Sequence, residues 1–205
     1  MPKIKLTKGE LKRQRDALRQ YERYLPTLQL KKQQLQLEIL QQVSVLSEKK
    51  HIFAKKKESI LLWSGLLVEA GITFKDWLVP TSVSTITKNV AGVDLPVFER
   101  ADFAESEYDL FDTPLWVDFA LEHLRALVSL EKEVAVAEKA IAILKQELRI
   151  TTQRVNLFEK IKIPEAEESI RLIKIYIGDQ MTNAVGRSKI AKRKIEEEVF
   201  EEALL

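Results

Sequence analysis

Cysteine is absent from the 205 residues. That excludes a disulfide framework, a thiolate nucleophile and any cysteine-based metal centre. Glycine and proline number six each, and with so few turn formers the elements between turns must be long. Aromatic residues make up 7% of the chain, which suits a narrow core of aliphatic stripes better than a thick globular one. Neither sign of charge dominates: 33 Lys and Arg stand against 31 Asp and Glu, a net charge of +2. This balance argues against nucleic acid as a partner, which needs a basic excess on one face. No long hydrophobic run occurs either. The most apolar stretch, residues 60–68, is interrupted by Ser64 and Gly65 and falls far short of the roughly 20 residues a membrane span needs. The opening Met1-Pro2-Lys3-Ile4-Lys5 lacks the apolar segment of a signal peptide. The expectation is a cytoplasmic chain with no direct membrane insertion.

What the chain does contain is a long heptad series. Thr7-Lys8-Gly9-Glu10 has the form of a capping box, with the Thr hydroxyl and the Glu carboxylate each satisfying one free amide. Beyond it, Leu11, Leu18, Leu25, Lys32, Ile39, Leu46, Phe53, Ile60 and Leu67 share one heptad position, and only Lys32 breaks the row. The companion position holds Gln14, Tyr21, Leu28, Leu35, Gln42, Lys49, Lys56 and Trp63, with a polar middle. A repeat this long predicts a coiled coil rather than a globular helix. The predicted helix runs from about residue 7 to 70, roughly 95 Å at 1.5 Å per residue, and Gly71 is its expected stop. Pro26 removes one backbone donor and crowds the carbonyl of Glu22. Since the heptad phase is kept across it, a continuous but kinked helix is expected.

Between Ile72 and Asp112 the character changes. Thr73, Val79, Thr81, Val83, Thr85, Ile86, Thr87, Val90, Val93 and Val97 favour strands. Ala91-Gly92-Val93-Asp94 offers a turn, and an acidic, irregular stretch is expected from Glu99 to Asp112. A second helix then starts at Asp112-Thr113-Pro114. Its rows are Ala120, Leu127, Val134, Ile141, Leu148, Val155 and His123, Leu130, Ala137, Leu144, Thr151, Phe158. Pro164 predicts a second kink, after which Ile170, Ile173, Ile177 and Met181 carry an apolar face toward a charged tail. The predicted fold is mainly α: a long antiparallel two-helix coiled coil with a small β-hairpin insert between the helices. Its parts are an N-terminal helix over 1–71, a β-rich insert over 72–112 and a C-terminal helix over 113–205, kinked near Pro164.

Catalytic signals are missing. The glycines are isolated, with no phosphate-cradling loop and no dinucleotide fingerprint. His51 lies in a lysine-rich stretch and reads as solvated; His123 falls on the seam and reads as packed. No catalytic, cofactor-binding or metal residue is assigned. Two basic clusters stand out: Lys49, Lys50, Lys55, Lys56 and Lys57, read as a solvated helix face, and Arg187, Lys189, Lys192, Arg193 and Lys194 near the C-terminus.

Local sequence carries a family resemblance. Thr152-Gln153-Arg154-Val155-Asn156-Leu157-Phe158-Glu159, followed by Ile163-Pro164 and then Ile170 and Ile173, resembles the Arg-Val-Asn to Ile-Pro block of the D subunits of V-type (A/V-type) ATPases and ATP synthases. Weaker matches lie in Leu6-Thr7-Lys8 with Leu11, Leu18 and Leu25, in Leu30-Lys31-Lys32-Gln33-Gln34-Leu35, in Asn89 to Pro96, and in Arg187-Ser188-Lys189-Ile190-Ala191-Lys192. They follow in order along nearly the whole chain. The departures are Gln33 and Gln34 in place of acidic residues, Pro26 in place of a helix former, and Gly178-Asp179-Gln180 in place of a more helical segment.

The resemblance implies a non-catalytic central axle of a V-type ATP synthase or ATPase, without a cofactor of its own. It would couple ATP synthesis or hydrolysis in a head of catalytic A and B subunits to rotation of a membrane ion-translocating ring. It would also hold the small F subunit of the stalk and seat on a funnel-shaped subunit above that ring, peripheral to the membrane. On this reading Arg154, Asn156, Arg187, Lys189, Lys192, Arg193 and Lys194 are candidate partner contacts, the last five facing the head. The alternatives are a coiled-coil adaptor or tether with no rotary role, which the heptads alone would satisfy, and a helical nucleic-acid binder.

Overall fold

The computed structural model describes residues 5–69, 74–106 and 113–202. Their order is α1 (Lys8–Leu61), α2 (Leu66–Glu69), α3 (Lys75–Leu78), β1 (Pro80–Val90), β2 (Val93–Phe103), α4 (Trp116–Leu157), a π-helical turn (Phe158–Lys162) and α5 (Ile163–Glu202). The fold is mainly α with a two-stranded insert, as the heptads and the β-branched stretch predict. Two compact units divide the chain: Leu30–Thr152, and Met1–Gln29 with Gln153–Leu205.

In the unit Leu30–Thr152, α1 and α4 run antiparallel. Lys31 pairs with Glu147 at 3.0 Å, Lys49 with Glu133 at 2.7 Å and Lys50 with Glu138 at 2.6 Å. The predicted rows are the covered ones: Leu35 and Ile60 are buried, Lys32, Ile39, Gln42, Leu46, Lys49 and Phe53 are half-buried, and only Lys56 is exposed. Opposite them Ala120, Ile141, Leu144 and Thr151 are buried. One cluster joins Leu35, Ala140 and Leu144 to Leu95 of β2, with Ile39, Leu148, Val90 and Val93 around it. A second joins Phe74, Val117, Ala120 and Leu121, with Trp63, Trp77 and Trp116 packed against them. Arg125 on α4 ties this end together: it donates to the carbonyl oxygens of Trp77 at 3.2 Å and Ala104 at 2.6 Å, and lies 5.5 Å from the Phe103 ring.

The hairpin turn falls on Ala91 and Gly92, with φ of 51° and 76°. Two consecutive left-handed residues give the turn whose twist matches its strands. Asn89 and Asp94 face each other across it at 2.6 Å, and the Asn89 side-chain oxygen accepts from the Gly92 amide.

Three local expectations are corrected. The first helix ends at Leu61, not near residue 70, because the chain tightens there: Trp63 and Ser64 donate to the carbonyls three residues back, and the Ser64 hydroxyl also donates to Leu61. Gly71 lies outside the described residues, as does Asp112 of the expected second cap. Strand pairing persists through Phe103 across two register shifts, so Glu99 to Phe103 is strand rather than irregular; residues 107–112 lie outside the described residues. The capping box is half formed. The Glu10 amide donates to Thr7 Oγ1 at 3.3 Å, but the Thr7 amide goes to the Lys5 carbonyl, and the Glu10 carboxylate accepts from Gln14.

In the other unit, Tyr21 stacks on Phe158 with ring centroids 5.4 Å apart, and Val155, Ala166, Ser169, Ile170 and Ile173 are buried. The helix α1 continues through Pro26 without a break. At Pro164 the chain has already left α geometry: the Ile163 amide donates to the Phe158 carbonyl, five residues back, as a π turn requires. Arg171 is bidentate on Glu168 at 2.6 and 2.8 Å, and these hydrogen bonds hold that carboxyl below its usual pKa.

Candidate partner-contact surface

The candidate surface is the distal part of α5. Counting along both helices from the Tyr21–Phe158 contact brings the start of α1 level with about Arg171. Burial follows this limit. Ile173 is fully buried and Ile177 half-buried, whereas every side chain from Gly178 to Glu197 is exposed. Met181, expected to extend the buried face, is 51% exposed, since α1 has no residues left to cover it.

Along this bare stretch the helical period of about 100° per residue sorts the side chains. Met181, Val185, Ile195 and Val199 fall on one stripe, interrupted by Ser188 and Lys192. Arg187 and Lys194 lie to one side of it, Lys189 and Arg193 to the other. The stripe is apolar and open to solvent, with Val185 56%, Ile195 59% and Val199 59% exposed. Its flanks are cationic. Lys192 reaches Glu196 at 3.6 Å and Arg193 reaches Glu197 at 3.5 Å, one turn further on. Such exposed pairs are worth no more than a few tenths of a kcal/mol, so they leave both cations free to turn toward another acceptor.

Arg154 and Asn156 are also exposed, on either side of buried Val155 at the end of α4. They are not brought near the tail cluster: the π turn and the first half of α5 intervene.

Two features escape a reading of the sequence alone. Lys49 and Lys50 each meet a carboxylate of α4, Lys49 half-buried in the seam and Lys50 still exposed. Glu133 and Glu138 are the available signal, though only a fixed helix stagger reveals which lysine they meet. In addition, Leu30, Leu37 and Leu40 of α1 are 56–68% exposed. They lie off both heptad rows, within a glutamine-rich stretch whose only charge between Gln33 and Ser47 is Glu38.

Among the described residues no group of three or more His, Cys, Asp or Glu could hold a metal ion, and no helix is long and apolar enough to cross a membrane. His123 Nδ1 lies 2.9 Å from the Phe119 carbonyl oxygen and its ring packs on Phe119 at 3.8 Å, which gives it a structural occupation; His51 is exposed. What the surface offers is binding: an apolar strip with cations on both borders.

Comparison with known proteins identifies the family. The family described as the ATP synthase D subunit matches residues 10–193. The V-type ATP synthase D subunit of Borreliella burgdorferi is 45% identical over 195 residues, covering 95% of this chain and 96% of the relative. The proteins of the same name from Chlamydia abortus and Chlamydia caviae are 36% identical over 208 residues and 34% over 206, each covering 95% of this chain and 94% of the relative. With both the matched span and the identity this extensive, the chain belongs to the family of V-type ATP synthase D subunits.

Proposed function

We propose that this chain is the central axle of a V-type ATP synthase or ATPase, carrying rotation between a catalytic head of A and B subunits and an ion-translocating ring in the membrane. The observation that best supports this reading is the bare distal half of α5. From Gly178 to Glu197 it buries none of its side chains within its own chain, so a helix with an apolar stripe gains its packing only inside a partner. The cations Arg187, Lys189, Lys192, Arg193 and Lys194 would face carboxylates on the inner wall of the head. Long cationic chains across a wet gap attract without fixing one orientation, which suits a shaft that must turn. The small F subunit of the stalk and the funnel-shaped subunit above the ring would bind nearer the hairpin, at whose level Leu37 and Leu40 leave apolar surface open. The chain supplies no chemistry in this scheme. It changes the relative energies of the head's conformations by presenting a different face to each catalytic site.

The test is reconstitution. The full chain, mixed with A and B subunits, should co-purify with the head and make its ATP hydrolysis drive rotation of a bead attached to this chain. A truncation after Ile177 should fold, keep its melting temperature within a few degrees and fail to enter the head. If the truncated chain assembled and rotated as the full chain does, the axle reading of α5 would be wrong.

A further inference from the structure

We propose that the three ion pairs between α1 and α4 act together as a register lock, blocking the one-heptad slip that the hydrophobic seam leaves open. A heptad seam repeats every seven residues, so its first competitor is the same pair of helices displaced by seven. The two directions of slip are not equivalent here.

If α1 advances so that residue i+7 takes the place of residue i, Gln42 enters the fully buried site of Leu35 beside Leu144. A buried amide without partners is costly. Glu38 also arrives opposite Glu147, replacing Lys31 with a like charge. Lys56 and Lys57 would take the places of Lys49 and Lys50, so the pairs at Glu133 and Glu138 survive this move. The seam itself forbids it.

In the opposite slip the seam is nearly indifferent. Leu28 enters the Leu35 site, Ile39 replaces Leu46, Leu46 replaces Phe53 and Phe53 replaces Ile60. The poor fits are Lys32 at the place of half-buried Ile39 and Lys56 at the place of half-buried Trp63, where a long lysine can carry its ammonium out to water. The charges, however, fail at every point. Tyr24 comes opposite Glu147, Gln42 opposite Glu133 and Val43 opposite Glu138. Three carboxylates lose their cations in one step. Two of them, Glu133 and Glu147, are only 29% and 26% exposed, so water replaces the lost partner poorly.

The placement of the pairs fits this role. Between Leu35 and Ile60 no side chain of α1 is fully buried, and the same holds on α4 between Leu121 and Val136. Lys49–Glu133 falls in this softly packed interval, between the two hydrophobic clusters. Lys49 itself occupies a seam position, where one polar residue typically trades stability for a defined alignment. This inference is independent of the rotary reading, since it concerns the fold of the single chain.

The native chain has no cysteine, so spin labels can be placed at Ser47→Cys and Ala142→Cys, both exposed positions, and their separation read by pulsed dipolar spectroscopy. The parent should give one distance. A backward slip carries the α1 label along the axis by about 10 Å, away from Ala142. The variant Lys31→Gln/Lys49→Gln/Lys50→Gln should add a second, longer component from a population absent in the parent. The exchange Lys50→Glu/Glu138→Lys keeps an attraction that only the native alignment can make, and should keep the single parent distance. If the triple variant kept that single distance as well, the register-lock proposal would be overturned, whether or not its melting temperature fell. A second component in the charge-exchanged chain would overturn it equally.

Discussion

Truncation of Leu144 to alanine probes the point where the hairpin meets both helices. Leu144 is fully buried and shares its cluster with Leu35, Ala140 and Leu95. The change removes three carbons from a dry site. At about 0.8 kcal/mol for each buried methylene, the lost transfer energy is about 2.4 kcal/mol. The gap left behind adds to this, because Leu35 on α1 and Leu95 on β2 are held by separate elements and can close it only partly. The expected total is about 3–4 kcal/mol, inside the range of about 2–5 found for such truncations. Leu37→Ala removes the same atoms from a side chain that is 68% exposed and should change stability by no more than about 0.5 kcal/mol. Urea unfolding followed by helical ellipticity gives both values from the midpoints, provided the slope is unchanged. Amide exchange in β2 should accelerate in the Leu144 variant, since Leu95 would lose its main support. A loss below about 1 kcal/mol at Leu144, or an equal loss at Leu37, would show that the hairpin cluster is not the core of its unit.

Val155→Asp places a charge in a site only 3% exposed and should cost several kcal/mol; unchanged thermal melting would show that the Val155 seam is misplaced. Gly92→Ala puts a side chain at a φ of +76° with nothing within 4 Å of the new Cβ, so the cost is backbone strain alone, about 1 kcal/mol, read as a small shift of the urea midpoint. Replacing Arg187, Lys189, Lys192, Arg193 and Lys194 with glutamine should leave the isolated chain folded, yet weaken its assembly with the head and flatten the dependence on salt; assembly identical to the parent at every salt concentration would reduce the cluster to a solvated face. Titration calorimetry with ATP should give no heat of specific binding, and a micromolar site lost on a single substitution in this chain would contradict that.

The seam is legible in the sequence because heptad phase is a local property, carried by the spacing of Leu11, Leu18, Leu25 and their successors. The hairpin is legible for a similar reason: Ala91-Gly92 between β-branched runs names its own turn. What the sequence withholds depends on alignment between distant segments. Lys49 and Lys50 look like surface lysines until the stagger of α4 sets Glu133 and Glu138 against them. The stack of Phe158 on Tyr21, a residue of the companion row, is set by the same stagger. The end of α1 at Leu61 is hidden because Leu67 and Trp63 keep the heptad spacing beyond it. These residues still pack inward, from a turn and a short helix. On the candidate surface, the identity of the tail cations can be read directly, but the exposure of Met181 cannot. It follows from where the other helix begins.

The π turn at Phe158–Lys162 has a consequence for how the stripe is counted. Carried forward in sevens, the two rows of α4 would pass from Val155 to Lys162, Ser169 and Tyr176, and from Phe158 to Glu165 and Leu172. Yet Leu172 is 43% and Tyr176 41% exposed, while Ala166, Ile170 and Ile173 are buried; of the unshifted positions from Glu165 on, Ser169 alone stays buried. The inward face has moved on by one residue. A π turn accommodates one residue more than the α turn it replaces, a surplus of the size of this offset. The chain therefore changes frame at this turn, much as a leap day realigns a calendar. Deleting one residue between Phe158 and Lys162 would leave Ile170 and Ile173 facing inward on an unbroken α-helix, whereas the same deletion anywhere in α4 would turn them toward water.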